Sequence, residues 1–290
     1  MKKNLTVEAG RQAIALISDI TYKNEDAWYG ETERPLKMSL LAPKHKERQT
    51  KPLPLLVWLC GGGLRVMDQN IWMPQLVSFA EQGFVVASVQ YRTVNEAPLP
   101  AQLIDVKAAI RYLRAHAHRY CIDARNVFVM GESAGAMLAG LTGVTAGINE
   151  FDKGDYLDMS SGVNAVIDIY GIADLSAAYE AVRENLVRGA ECLDKVGGPA
   201  DGYQKKLEQF SVVRYVNNKT VPFMILHGTA DETVNISQSE ALYERLTACG
   251  VPCDYYRLIG CIHGADQFYQ PEIVELMAEF MKRHLKKWED

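Results

Sequence analysis

Four short stretches carry side chains and backbone groups that could share one reaction. Gly131-Glu132-Ser133-Ala134-Gly135 follows the apolar run Val127 to Met130, and His227-Gly228-Thr229-Ala230-Asp231 follows Phe223 to Leu226. Gly260-Cys261-Ile262-His263-Gly264 comes after Asp254 to Leu258, and Gly61-Gly62-Gly63 after Leu55 to Cys60. A serine hydroxyl is a poor nucleophile at neutral pH, so it needs exposure, a base, and donors for the oxyanion its attack creates. A Gly-x-Ser-x-Gly turn between strand and helix meets the first need: the serine sits at a strained tip, and glycines two residues away on either side let neighbouring chain pass closely. Alone, such a pentapeptide is an ordinary Ser/Gly turn, so its partners must decide.

In one chain order, serine is followed by an acid and then a histidine, each on a loop after a later strand. That order assigns Ser133 as nucleophile, His263 as general base and then acid, and Asp231 as the carboxylate that fixes the imidazole tautomer. Glu232 competes for the acid role, and Asp231 could merely cap the turn before the next helix. His227 is a rival base, but it stands four residues before Asp231 on the same strand-loop unit, which would leave the order without its last member. His45, His116, His118 and His284 lie in charged or helical contexts and are expected at the surface. The oxyanion is expected to meet the N–H of Ala134, where a helix dipole adds to the effect, and that of Gly62 or Gly63.

The intervening pattern supplies elements to hold these groups. Leu55 to Cys60 and Phe84 to Val89 are continuous apolar runs, as in strands buried on both faces of a parallel sheet. Between them Trp72 to Glu81 reads as a helix. A second helix has Leu103, Val106, Ala109, Ile110 and Leu113 on one face and Asp105, Lys107, Arg111 and Arg114 mostly around the other. Strands at Ala165 to Tyr170, Phe223 to Leu226 and Cys253 to Leu258 and helices at Gln238 to Ala248 and Pro271 to Trp288 continue the alternation, which predicts an α/β fold with a mostly parallel, doubly wound sheet. Upstream, Ala9, Ala13, Leu16 and Ile17 have helical spacing, Asp19 to Lys23 and Leu36 to Leu41 read as short strands, and Asn24 to Gly30 as a polar connection. The charged run Lys44 to Lys51, bracketed by prolines, reads as a loop. Residues 171–220, with helical stretches around Leu175 to Arg188 and a turn at Gly197-Gly198-Pro199, depart from the alternation. They are expected to form a helical insertion over the site within a single domain spanning residues 1–290.

Taken together, Cys60 to Gly63, Tyr91-Arg92, Asp105 to Ala109, Ile122 to Asn126, Gly131 to Gly135, His227 to Asp231 and Gly260 to Gly264 resemble the α/β-hydrolase carboxylesterases. The likeness is greatest to the bacterial branch containing acetylxylan and feruloyl esterases, near the hormone-sensitive-lipase-like esterases, and runs from about Asp19 onward. It implies a serine esterase that removes short acyl groups, acetyl foremost, from a small-molecule ester such as an acylated oligosaccharide. Two positions depart from the pattern: Cys60 stands where relatives usually carry histidine, and Leu64 where an aromatic residue is frequent. Arylformamidases and prolyl-oligopeptidase-type peptidases resemble the same fold, so amide hydrolysis is the second reading; the peptidases usually carry a large additional domain, for which the segment before Leu55 is short. A non-catalytic binding protein is the third, against which the retention of Ser133, Asp231 and His263 argues.

Composition narrows the partners. With 290 residues, 48% hydrophobic and 23% charged, the chain can bury a large core, and a net charge of -5 argues against nucleic acid or an anionic membrane. Lys2 and Lys3 precede Glu8, Arg11, Gln12 and Asp19, not an apolar core, so no export signal is read. No stretch approaches the roughly 20 apolar residues of a membrane span, and a cytoplasmic protein is expected. The six cysteines are scattered and expected as free thiols. Cys249 and Cys253 are isolated, and Cys261 with His263 offers two ligands where a structural zinc site wants four, so neither metal nor cofactor is expected.

Overall fold

A computed structural model of the chain describes residues 1–8, 13–43, 51–178 and 203–287. The described residues build an eight-stranded sheet in the order β1-β2-β4-β3-β5-β6-β7-β8. Its strands are β1 (Ile14–Ala27), β2 (Thr32–Pro43), β3 (Leu53–Leu59), β4 (Val85–Val89), β5 (Ile122–Glu132), β6 (Ala165–Ile169), β7 (Phe223–Gly228) and β8 (Cys253–Leu258). β2 pairs antiparallel with β1 and β4, and all later pairings are parallel. Helices α1 (Met73–Glu81), α2 (Ala101–Ala115), α3 (Ala117–Tyr120), α4 (Ala134–Val144), α5 (Tyr203–Gln209), α6 (Ser237–Ala248) and α7 (Pro271–Arg283) connect or follow them. This is the mostly parallel, doubly covered sheet expected of an α/β-hydrolase.

The continuous apolar runs have a simple origin: alternate residues of each strand face opposite layers, and both layers are covered. Leu55, Val57, Leu59, Val127, Val129 and Ile225 pack beneath α2, α4 and α6 through Val106, Met137 and Leu242. Leu56, Trp58, Phe128, Met130, Met224 and Leu226 pack on the other side against α1 and α7 through Phe79, Met277 and Phe280.

One expectation fails for a reason of long-range pairing. Leu16 and Ile17 lie in β1, not in a helix, and β1 continues through Ala27, absorbing most of the expected polar connection. Local spacing favoured a helix, but backbone pairing with β2 along nearly the whole strand wins, leaving Leu16 57% exposed. The polar face of α2 is covered, with Asp105, Lys107 and Arg111 fully or almost fully buried. Asp105 takes bonds from Arg92 Nε (2.8 Å) and Lys23 (2.9 Å), while Lys107 donates to the Thr145 carbonyl (2.7 Å) and Asp152 (3.1 Å). Arg111 donates to the other Asp152 oxygen at 2.8 Å. Buried charge is tolerated here because every head group has a partner.

Of the expected insertion, residues 171–178 and 203–220 are described, the latter containing α5 and a short turn at Val212–Arg214. The helical stretch expected up to Arg188 and the Gly197-Gly198-Pro199 turn lie mainly or wholly in 179–202, outside the described residues, as do His45 and most of the Lys44 to Lys51 loop. No helix among the described residues is long and apolar enough to cross a membrane.

Candidate active site

The serine turn joins β5 to α4. Ser133 has φ 51° and ψ -122°, a conformation that side chains rarely adopt, and its N–H is anchored to the Ile169 carbonyl of β6 at 2.9 Å. The flanking glycines are demanded by crowding: a Cβ on Gly131 would lie 2.4 Å from the Gly135 carbonyl oxygen, and one on Gly135 would lie 2.1 Å from that of Leu59. The half-buried serine is thus presented at the carboxyl edge of the sheet, at the start of a helix buried along its whole length.

Loops after β7 and β8 bring the other two groups to it. The Thr229 N–H bonds the Leu258 carbonyl (2.9 Å), the Ala230 N–H bonds that of Cys261 (3.0 Å), and the Gly260 N–H bonds the Thr229 hydroxyl (2.8 Å). These bonds stitch the two loops together. His263 Nε2 lies 3.1 Å from Ser133 Oγ, and His263 Nδ1 lies 2.7 Å from Asp231 Oδ2. Asp231 has a fully buried side chain, whereas that of His263 is 20% exposed.

Asp231 is held from several sides. Its Oδ1 accepts the N–H groups of Thr233 (2.8 Å) and Val234 (2.9 Å). Burial alone would raise its pKa, but hydrogen bonds from His227 and His263 and from the Val234 N–H hold it far below the ordinary carboxylate range. Glu232, the neighbouring candidate, is exposed.

His227 stands away from the serine. It is fully buried, with Nδ1 2.7 Å from Ser239 Oγ, Nε2 2.9 Å from the Val234 carbonyl and 3.3 Å from Asp231 Oδ2. Two acceptors at Nε2 place the proton on that nitrogen, which leaves Nδ1 to accept from the Ser239 hydroxyl. His227 therefore acts as a clamp on the loop that carries Asp231. Among the remaining histidines His118 is exposed, while His116 and His284 are half-buried against Tyr112 and Phe280, so for these two the surface expectation is only partly met.

The glycine loop after β3 borders the serine turn: a Cβ on Gly61 would lie 3.1 Å from Ser133 Cβ. Gly62 and Gly63 have φ of +114° and +60°, which glycine adopts without strain. The Cys60 thiol is buried, and burial first, then the charge of Glu132, pushes its pKa up to about 11. It stays neutral, and the loop is steadied at this point by the Tyr91 hydroxyl, which donates to the Cys60 carbonyl at 2.5 Å. Leu64, also at positive φ, is buried in the core and bonds the Val94 N–H through its carbonyl at 2.8 Å.

Glu132 and Tyr170 also border the serine turn, and no motif in the sequence singles them out. Glu132 accepts from Gly61, Trp72 and Tyr170, and the Tyr170 ring packs 4.5 Å from the His263 ring. The only signal was that a charged residue occupies a variable position of the pentapeptide inside an otherwise apolar stretch. Among the described residues no group of three His, Cys, Asp or Glu is placed to hold a metal.

The chain is 29% identical over 228 residues to "Esterase LipC" of Mycobacterium tuberculosis, covering 77% of this chain and 56% of that protein. The chain spans about half the length of this curated relative and of others it matches. The fold is shared with a "Truncated form of carbohydrate esterase from gut microbiota" (TM-score 0.78, 24% identity, 93% of this chain and 96% of that one). It is also shared with an "acetyl ester-xyloside bifunctional hydrolase from Caldicellulosiruptor lactoaceticus" (TM-score 0.74, 21% identity, 94% and 96%). The family model described as BD-FAE matches residues 38–246, well over half the chain and including both the glycine loop and the serine turn, and the chain belongs to that family.

Proposed function

We propose that this protein is a serine carboxylesterase that hydrolyses short-chain esters through an acyl-enzyme. The observation that carries the reading is the continuous hydrogen-bonded line from Ser133 Oγ through His263 to Asp231, at 3.1 and 2.7 Å. His263 Nε2 takes the serine proton as Oγ attacks the ester carbonyl, and the negative charge moves to the carbonyl oxygen. The N–H of Ala134, at the start of α4, and those of Gly62 and Gly63 are the donors for that oxyanion. His263 then gives its proton to the departing alkoxide as the C–O bond breaks, leaving an acyl-serine and a free alcohol. A water molecule, deprotonated by the same imidazole, attacks the acyl-serine and releases the carboxylic acid and Ser133. Asp231, fully buried and ionised, holds the Nδ1 proton and offsets the imidazolium charge through both steps.

The substrate class proposed is acetyl and other short acyl esters of carbohydrates. It draws on the family and on the carbohydrate esterases among its structural likenesses. The inserted segment between β6 and β7 is proposed to wall the pocket within a single domain. Ser133→Ala tests the chemistry: it should abolish p-nitrophenyl acetate turnover and fluorophosphonate labelling, and turnover at the wild-type level would overturn the assignment. A panel of p-nitrophenyl esters of increasing chain length, acetylated xylo-oligosaccharides, a feruloyl ester, a formamide and an aminoacyl-proline substrate tests the class. Preference for any arm other than acetyl or another short acyl group would replace it.

A further inference from the structure

The charged side chain next to Ser133 takes part in none of the proposed proton transfers. Glu132 is 8% exposed, and donors from three separate elements fill its two oxygens. Oε1 accepts the Gly61 N–H at 3.2 Å and the Trp72 indole N–H at 2.6 Å, and Oε2 accepts the Tyr170 hydroxyl at 2.6 Å. A group that only accepts is behaving as a carboxylate, and charge-assisted bonds of this kind are stronger than neutral ones.

These partners converge on the reacting groups. Gly61 opens the glycine loop, and a Cβ there would meet the Glu132 carbonyl oxygen and Ser133 Cβ, each at 3.1 Å. Tyr170 follows β6 in a left-handed conformation, φ 46°, which costs energy for a residue with a side chain. Its N–H is fixed to the Leu226 carbonyl at 2.8 Å, and Phe268 packs edge-on against its ring at 4.7 Å. The ring thus has one position, with the hydroxyl on Glu132 and the ring centroid 4.5 Å from that of His263. The nearby hydroxyls of Tyr91, Tyr170 and Tyr269 are all pushed upward first by burial, so they remain neutral.

We propose that Glu132 is a positioning residue for the reaction of Ser133, setting the Gly61–Gly63 loop through one oxygen and the His263 ring, by way of Tyr170, through the other. The inference rests on the reading of Ser133, His263 and Asp231 as a triad. One carboxylate thereby ties the nucleophile turn, the oxyanion donors and the base to a common distance. Small misplacements of such groups cost rate much more than binding.

The test uses the full chain as wild type, Glu132→Gln, Tyr170→Phe and the double variant, with kcat and KM measured separately on p-nitrophenyl acetate and the rate of labelling by a fluorophosphonate as a second readout. Glu132→Gln should lower kcat and the labelling rate by about 10- to 100-fold while KM stays within about threefold. Tyr170→Phe should lower both rates about tenfold, and the double variant should be no slower than Glu132→Gln, because both changes cut one link. Wild-type rates in Glu132→Gln, a loss confined to KM, or losses that multiply in the double variant would overturn the proposal. If Glu132→Gln does not fold, Tyr170→Phe decides alone, and unchanged rates there are equally fatal. A wild type that is neither labelled nor active would overturn the triad reading itself. Normal labelling that is insensitive to Glu132 would remove only the positioning role.

Discussion

Buried charge is treated in opposite ways at two places in this molecule. Under α2, Lys107 and Arg111 share Asp152, and Arg92 and Lys23 share Asp105, so every charged group is saturated. At the carboxyl edge of the sheet Asp231 is equally well satisfied, but its chain of bonds runs outward and ends on Ser133, beside a partly exposed imidazole. Saturated charge holds the fold, whereas charge with an open end is available for chemistry. A third carboxylate fits neither description. Asp168 on β6 is almost fully buried, accepts the Gly171 N–H at Oδ1 (2.8 Å), and has an Oδ2 with no hydrogen-bond partner among the described residues.

The largest expected effect lies at the open end. Asp231→Asn should leave a folded protein but cost about 10⁴ in kcat, because the amide can hold His263 in the wrong tautomer; thermal melting and ester kinetics on one preparation would check both halves. A loss of tenfold or less would put Asp231 with the structural group. At the saturated end, Asp152→Ala strands Lys107 and Arg111 without their carboxylate and should cost about 3–5 kcal/mol in chemical denaturation. The fraction that folds should keep its kcat, and a variant that is stable but slow would erase the distinction.

Asp168 sharpens the comparison through pH. Burial raises its pKa to about 6 against an ordinary 3.8. Below the ordinary value both folded and unfolded chains are protonated and nothing is lost. As pH rises the unfolded chain ionises first, and stability falls until the folded group also ionises near pH 6. Asp168→Asn should therefore stabilise the protein at pH 8 by up to about 3 kcal/mol, with the advantage gone below pH 4, as read from urea midpoints across that range. An advantage independent of pH would show that burial of the charge is not the cause. The smallest effect is expected for Tyr91→Phe, which deletes the bond to the Cys60 carbonyl and should cost about 1 kcal/mol in the same measurement.

Legibility in the sequence follows the range of the interactions involved. The runs Phe223 to Leu226 and Cys253 to Leu258 are recognisable from local pattern alone, and the second matches β8 end to end. The order of Ser133, Asp231 and His263 was readable because each sits in the loop or turn just after its strand. What escaped depends on distant partners. β1 is a strand because β2 lies beside it, and Lys107 is buried because Asp152, far along the chain, reaches back to it. Glu132 was visible as a letter, but its meaning lies in Gly61, Trp72 and Tyr170, which no spacing rule connects to it.

The stitching of the loops after β7 and β8 has a consequence for how motion is distributed. Thr229 and Ala230 give their amide protons to Leu258 and Cys261, and a Cβ on Gly228 would collide with the Cys261 carbonyl at 2.2 Å. The loops that carry Asp231 and His263 therefore ride on one body and open to deuterium together. Exchange at those two amides should be a slow clock set by the cooperative opening of that body, running at one rate for both.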